Sequence, residues 1–250
     1  MLMDIERIGE VALLRMRGGK ANAMSRQMLE QLDAAIDEIA ASDARAAVIT
    51  GYDNFFSGGL ALPDLVDLDR QTMARYMDLF SSIMGKVLRV DRPMVAAING
   101  HAIAGGCVLA LQCDVRMMAA SGGKIGLNEV QLGVGLPDAV LEPLRLRVPV
   151  SAMVPVALEG RLLGAEEAAA VGLVDRVVAP GELIDRAVAW AAELGRPPRR
   201  AYAEIKRALL RPALEAMAAH AATERERWLD TWFSPEAQTI LRGIVQRLRR

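Results

Sequence analysis

Three short apolar runs, Ala46–Thr50, Met94–Ile98 and Val115–Ala119, alternate with stretches of helical spacing, and this alternation constrains the chain more than any other feature. Consecutive strands separated by helices pair in parallel through crossover connections, which specifies an α/β layer fold. Upstream, Asp4–Ile8 and Val11–Met16 read as two short alternating strands joined by Gly9 and Glu10. Ser25 has the chemistry of an N-cap for a helix carrying Leu29, Leu32, Ile36 and Ile39 on one face.

Beyond Ser151 the pattern becomes mostly helical, apart from a short strand expected over Leu173–Val178. Pro197-Pro198 reads as a hinge, dividing an α/β body (1–195) from a carboxy-terminal region (196–250) of three further helices. That region holds twelve Lys and Arg against six Asp and Glu, an excess hidden by the overall formal charge of −1. It is expected to be a mobile or partner-seeking tail.

With 52% apolar residues the chain is far from a disordered composition. Its near-neutral charge gives no global field for nucleic acid. No apolar run approaches the ~18 residues of a membrane span. The start, Met1 to Arg7, lacks the basic and apolar order of a signal peptide. Cys107 and Cys113 form neither a CxxC pair nor a metal-ligand spacing, which points to a reducing, cytoplasmic setting without disulfides or a bound metal.

Two glycine segments carry the chemistry. In Phe55-Phe56-Ser57-Gly58-Gly59-Leu60, just after a strand and a turn, the glycines let backbone N–H groups approach a ligand with no Cβ in the way. In Asn99-Gly100-His101-Ala102-Ile103-Ala104-Gly105-Gly106-Cys107, paired glycines open an apolar helix whose free N–H groups and dipole favour negative charge. Neither segment is a Walker loop or a GxGxxG fingerprint. Together they can aim two N–H groups at one oxygen, the construction of an oxyanion hole. A third segment, Lys124 to Gly133, sets Glu129 in an apolar, glycine-bounded loop, where a carboxylate acquires a raised pKa and becomes a usable base.

In this order and spacing, these segments resemble the crotonase, or enoyl-CoA hydratase/isomerase, superfamily. The resemblance begins at Lys20-Ala21-Asn22-Ala23-Met24. It runs through FFSGG and NGxAxGG to Glu129, then to Gly160–Ala168 and Ala170–Asp175. It implies a spiral of ββα units with a carboxy-terminal helical layer, assembled as a homotrimer or a dimer of trimers. It implies an acyl-CoA substrate, with coenzyme A entering as part of that substrate and no separate cofactor. The thioester oxygen would lie between the N–H groups of Gly58 and Gly105. Ala21, Ala23, Ser57, Gly59, Leu60 and Gly106 would contact substrate or CoA.

Two positions depart from the family pattern. Hydratases of the family carry a second glutamate three residues after the oxyanion glycine, where this chain has Val108; Ala61 stands where most members have Asp. A single base above a polarised thioester suits Δ3,Δ2-enoyl-CoA isomerisation, and the IGLNExQLG loop, Ile125 to Gly133, is similar to that branch. Asp138 is the candidate second acid for a hydratase or thioester hydrolase; its other reading is an N-cap for the helix containing Val140, Leu141 and Leu144. Asp64 and Asp67 are weaker candidates, and His101 reads as a packed loop residue. Met73, Met77, Phe80 and Met84 read mainly as core, with some facing an acyl pocket. Trp228, Trp232 and Phe233 are expected to cover a neighbouring subunit's site or seal the trimer. A non-catalytic CoA-binding scaffold is the alternative from outside enzymology.

Overall fold

The computed structural model describes residues 2–249; Met1 and Arg250, the outermost residues of the two expected regions, lie outside it. The chain opens with an antiparallel hairpin of β1 (Met3–Ile8) and β2 (Val11–Met16). Helix α1 (Arg26–Ala41) starts at Ser25, whose hydroxyl accepts the Met28 N–H, as its N-cap chemistry predicts. There follow β3 (Ala46–Thr50), β4 (Phe55–Ser57), α2 (Leu62–Leu65) and α3 (Arg70–Arg89). The next turn of chain contains β5 (Met94–Ile98), β6 (His101–Ile103) and α4 (Gly105–Gln112), and the one after it β7 (Val115–Ala119) and β8 (Ile125–Gly126).

The strands form a six-stranded sheet of order β1-β2-β3-β5-β7, closed by β9 (Arg176–Val178), and a three-stranded sheet of order β4-β6-β8. Among the described residues, every strand-to-strand pairing beyond the first hairpin is parallel. Each turn of chain therefore lays one strand in the large sheet and the next in the small sheet, then returns through a helix. This is a spiral of ββα units. The chain continues through α5 (Asp138–Arg147), α6 (Ala165–Ala170), α7 (Leu183–Leu194), α8 (Arg199–Trp232) and α9 (Pro235–Leu248).

The large sheet is covered on both faces, which is why β3 and β5 read as continuous apolar runs rather than alternating ones. Leu13, Val48, Val95 and Met117 pack with Leu183, Ala187 and Ala191 of α7. Their neighbours in sequence, Leu14, Ile49, Ala96 and Met118, point the opposite way into the main core.

Three expectations are corrected. The strand over Leu173–Val178 is confined to Arg176–Val178, because Gly172 turns left-handed and the Leu173 and Val174 N–H groups bond back to the Ala168 carbonyl. The region after Pro198 contains two helices rather than three, since α8 runs unbroken through Pro212. The Pro197-Pro198 segment is pinned rather than free: the Arg45 guanidinium donates to the carbonyls of Gly195, Arg196 and Pro197.

The carboxy-terminal helices are docked on the body and share its core through Trp228, Leu229, Trp232, Leu241 and Val245. Their basic excess meets body carboxylates: Arg199 pairs with Asp91, Lys206 with Asp114, Arg225 with Asp78 and Arg242 with Asp67. Among the described residues, no helix is long and apolar enough to cross a membrane.

Candidate active site

Asn22 organises the first glycine segment. Its carboxamide donates to the carbonyls of Met16, Phe55 and Phe56 and accepts the Gly18 N–H at 2.6 Å, fastening the Lys20–Met24 loop beside β4. Ser57, fully buried, donates its hydroxyl to the Asn22 carbonyl at 2.8 Å. Met24 then pairs with the far side of the segment: its N–H donates to the Gly59 carbonyl, and its own carbonyl accepts from the Ala61 N–H and the Tyr76 hydroxyl.

The hydrogen bonds of this segment leave free a different amide from the expected Gly58. The Gly58 N–H is already given to the Ala21 carbonyl at 2.8 Å, and the Gly59 N–H to the Ser57 hydroxyl at 3.2 Å. The next amide, Leu60, has no acceptor among the described residues, and Leu60 lines a cavity. The amide that this loop leaves free at the cavity is therefore that of Leu60, not Gly58, although Gly58 remains in the cavity wall.

A second free amide lies at Gly105. The Gly105 N–H heads α4, before the helical hydrogen-bond ladder begins, and has no acceptor among the described residues. Ala104, immediately before it, takes φ +50° and ψ −118°, a conformation that costs a non-glycine residue of order 1–3 kcal/mol. The Ala104 N–H is fixed to the Gly126 carbonyl and its carbonyl to the Val108 N–H, so this strain is held from both sides. Gly106 packs directly on β4: a Cβ there would lie 2.1 Å from the Ser57 carbonyl oxygen.

The cavity at these two amides measures about 470 Å³ and is walled largely by apolar side chains. Ala21, Ala23, Val108, Met77 and Phe80 line it. Glu129 enters from the loop after β8, at the head of a short 3-10 turn. Its Oε2 is buried without a hydrogen-bond partner, and burial pushes its carboxyl from an ordinary 4.5 up to about 7. Among the described residues it is the one carboxylate in the lining, and Lys20 the one cation. Asn128, unremarked in the sequence, also faces the cavity with its Oδ1 buried and unpartnered.

Asp138 is not part of this site. It begins α5 and directs its carboxylate towards α8, with Oδ2 3.1 Å from His220 Nδ1, while Pro137 and Val140 on either side of it face the cavity. Asp67 is tied to Arg242, and Asp64 is absent from the lining. His101, expected in a loop, instead begins β6, its Nδ1 accepting the Lys124 N–H and its ring lying 5.0 Å from that of Phe55. Both cysteines are buried, and burial pushes the Cys113 thiol up to about 12. Trp228 and Trp232 stack with ring centroids 5.1 Å apart and line the cavity of their own chain. Ile244 and Leu248 of α9 complete the wall, and the Lys20 ammonium reaches the Leu248 carbonyl at 3.4 Å.

The enoyl-CoA hydratase/isomerase family profile matches residues 6–244. A probable enoyl-CoA hydratase of Mycobacterium avium is 34% identical over 210 residues, covering 82% of this chain and 80% of the relative. A solved Mycobacterium tuberculosis protein, described both as an enoyl-CoA isomerase and as a probable enoyl-CoA hydratase, superposes with TM-score 0.80 at 30% identity, covering 92% and 96% of the two chains. The human mitochondrial Δ3,Δ2-enoyl-CoA isomerase shares the fold with TM-score 0.94 at 24% identity, covering 100% and 98%. The chain is an enzyme of the enoyl-CoA hydratase/isomerase family, within the crotonase superfamily.

Proposed function

We propose that this enzyme is a Δ3,Δ2-enoyl-CoA isomerase. The observation that carries the reading is a cavity with two free amides and a single carboxylate among its described lining residues. The thioester oxygen of a 3-enoyl-CoA accepts from the Leu60 and Gly105 N–H groups, which acidifies C2. Glu129 removes a C2 proton, and the electron pair spreads through C3–C4 and the thioester as a dienolate held at its oxygen by the two amides. The protonated Glu129 returns the proton to C4, leaving the double bond at C2–C3. Atoms balance without water, and no cofactor is needed beyond the CoA of the substrate. Lys20 at the cavity wall is the cation placed to meet a CoA phosphate.

Hydration or hydrolysis requires a nucleophilic water to be held and deprotonated, work that family hydratases share between two glutamates. Val108 cannot ionise, and Asp138 faces α8. The test is to supply 3-hexenoyl-CoA and crotonyl-CoA separately and follow the ultraviolet absorbance of the conjugated thioester. The isomerase reading expects rapid appearance of conjugation from the first and at most slow loss of it from the second. The opposite pattern overturns the reading, and CoA binding with no turnover of either favours a scaffold.

We further propose assembly as a homotrimer or a dimer of trimers. Val150, Val154 and Leu158 form an exposed apolar row, 87%, 51% and 70% accessible, of the kind that self-association removes from water. Sedimentation at micromolar concentration tests this, and a monomer would overturn it.

A further inference from the structure

Met24 touches both loops that carry the free amides. Its backbone brackets Leu60: the Met24 N–H donates to the Gly59 carbonyl at 2.8 Å, and the Met24 carbonyl accepts the Ala61 N–H at 3.3 Å. Its side chain packs on the other loop, where a Cβ on Gly105 would stand 3.2 Å from the Met24 sulfur. The Met24 carbonyl has a second donor from a different layer of the fold, the Tyr76 hydroxyl of α3 at 2.6 Å. An O–H···O bond of that length is a close one, whereas 3.3 Å exceeds the usual range for N–H···O, so the phenol is the firmer restraint. Burial, together with the negative charge of Asp64, pushes the Tyr76 pKa up, so it stays an O–H donor throughout the range in which Glu129 titrates. Neither Tyr76 nor Met24 lines the cavity, although Met77 and Phe80 of the same helix do.

We propose that Tyr76 is a positioning residue for the thioester: by fixing the Met24 carbonyl from α3, its hydroxyl sets the direction of the Leu60 amide and its spacing from that of Gly105. The inference rests on the reading of these two amides as the grip on the thioester oxygen. A donor stabilises developing charge best when it is already aimed as the charge forms. The Gly59 carbonyl and the Leu60 N–H belong to one planar peptide group and point in opposite directions. The Met24 N–H, by holding that carbonyl, therefore aims the amide on the far side of the same plane. Gly59 itself resists rotation poorly, having no side chain. What keeps Met24 in place is then what keeps the amide aimed, and the Tyr76 bond ties Met24 to the helical layer.

Tyr76→Phe removes the hydroxyl and keeps the ring. Tyr76→4-aminophenylalanine keeps a weaker donor at the same place. Ile83→Ala is the packing control, buried on the same helix and outside the cavity lining. Each protein is loaded with butyryl-CoA labelled with carbon-13 at the thioester carbonyl, a ligand without a carbon–carbon double bond to move. Infrared difference spectra record the stretching band of that carbonyl. In wild type the band should lie below that of free butyryl-CoA, because the amides polarise it. The shift should shrink in Tyr76→4-aminophenylalanine, shrink further in Tyr76→Phe, and keep its wild-type size in Ile83→Ala. With 3-hexenoyl-CoA, Tyr76→Phe should lose about tenfold to a hundredfold in kcat with KM little changed, the mark of an interaction realised in the transition state. A wild-type band in Tyr76→Phe, or in Tyr76→4-aminophenylalanine should the first not fold, overturns the proposal. Loss of the shift in Ile83→Ala overturns it too, since packing alone would then explain the effect. Wild-type protein that leaves the band unshifted instead sinks the reading of two amides on the thioester oxygen, and the role of Tyr76 with it.

Discussion

The α-carbon of Gly59 faces the amide nitrogen of Gly105 with no room for a side chain between them: a Cβ on Gly59 would stand 3.1 Å from that nitrogen and 2.8 Å from the Ile103 carbonyl oxygen. Gly59 also takes φ +87°, the left-handed region that favours glycine. This contact sets the two loops at the separation that lets the next amide, Leu60, work beside Gly105. Gly59→Ala is expected to push them apart and to cost roughly 10²–10³ in kcat, the loss typical of one oxyanion donor. Steady-state rates with 3-hexenoyl-CoA measure this, and a loss below tenfold would show that the two amides do not act together.

Glu129→Gln removes the proposed base and should lower kcat by roughly 10²–10⁴. Val108→Ala should cost less than tenfold in kcat, because Val108 supplies shape and no proton, while lowering stability by about 1–3 kcal/mol through the cavity it leaves. Equal kinetic losses in the two variants would contradict a one-carboxylate mechanism.

The pH dependence follows from the same buried carboxyl. The base form of Glu129 is required, and its pKa lies at about 7, so kcat/KM should rise with pH through 7 and level off above it. The stability effect runs the other way. A carboxyl with a folded pKa raised above 4.5 holds its proton longer in the folded state, so raising pH from about 4.5 through 7 costs stability. Glu129→Gln should therefore melt higher than wild type at pH 8, with the difference shrinking towards pH 5. Thermal melts across that range check the sign.

Arg92 is fully buried, and its guanidinium donates to the carbonyls of Ile39, Ala40 and Ala44 at the end of α1, at 2.7, 2.8 and 2.6 Å. Arg92→Met should destabilise the fold by about 3 kcal/mol, since the Ala40 and Ala44 carbonyls lose their partner in a dry environment, while the Ile39 carbonyl keeps Ser42. Chemical denaturation measures it, and a change under 1 kcal/mol would mean that water replaces the guanidinium.

The elements readable in the sequence were those with strong local causes. Buried parallel strands advertised themselves at Ala46–Thr50, Met94–Ile98 and Val115–Ala119, and Ser25 announced α1. Glu129 was legible because an acid among apolar residues and glycines is conspicuous. The free amide lies two residues from the one expected because the deciding bond, Gly58 N–H to the Ala21 carbonyl, joins segments distant in sequence. Nothing local distinguishes three consecutive amides. Asp138 was misplaced for a similar reason: its His220 partner lies on α8, and only tertiary structure turns the carboxylate away from the cavity. The short strands β4, β6 and β8 have too few residues to show a period.

The wall that carboxy-terminal helices give the cavity has a consequence for how the protein is made. Trp228, Trp232, Ile244 and Leu248 leave the ribosome after the whole parallel sheet and the Glu129 loop, and the Lys20 contact with Leu248 ties an early loop to one of the last residues. A nascent chain can thus complete its strands while its reaction chamber stands open to water. Translation arrested before Trp228 would yield a polypeptide bearing both amides and the glutamate yet lacking the α8 and α9 side chains that shield them from solvent.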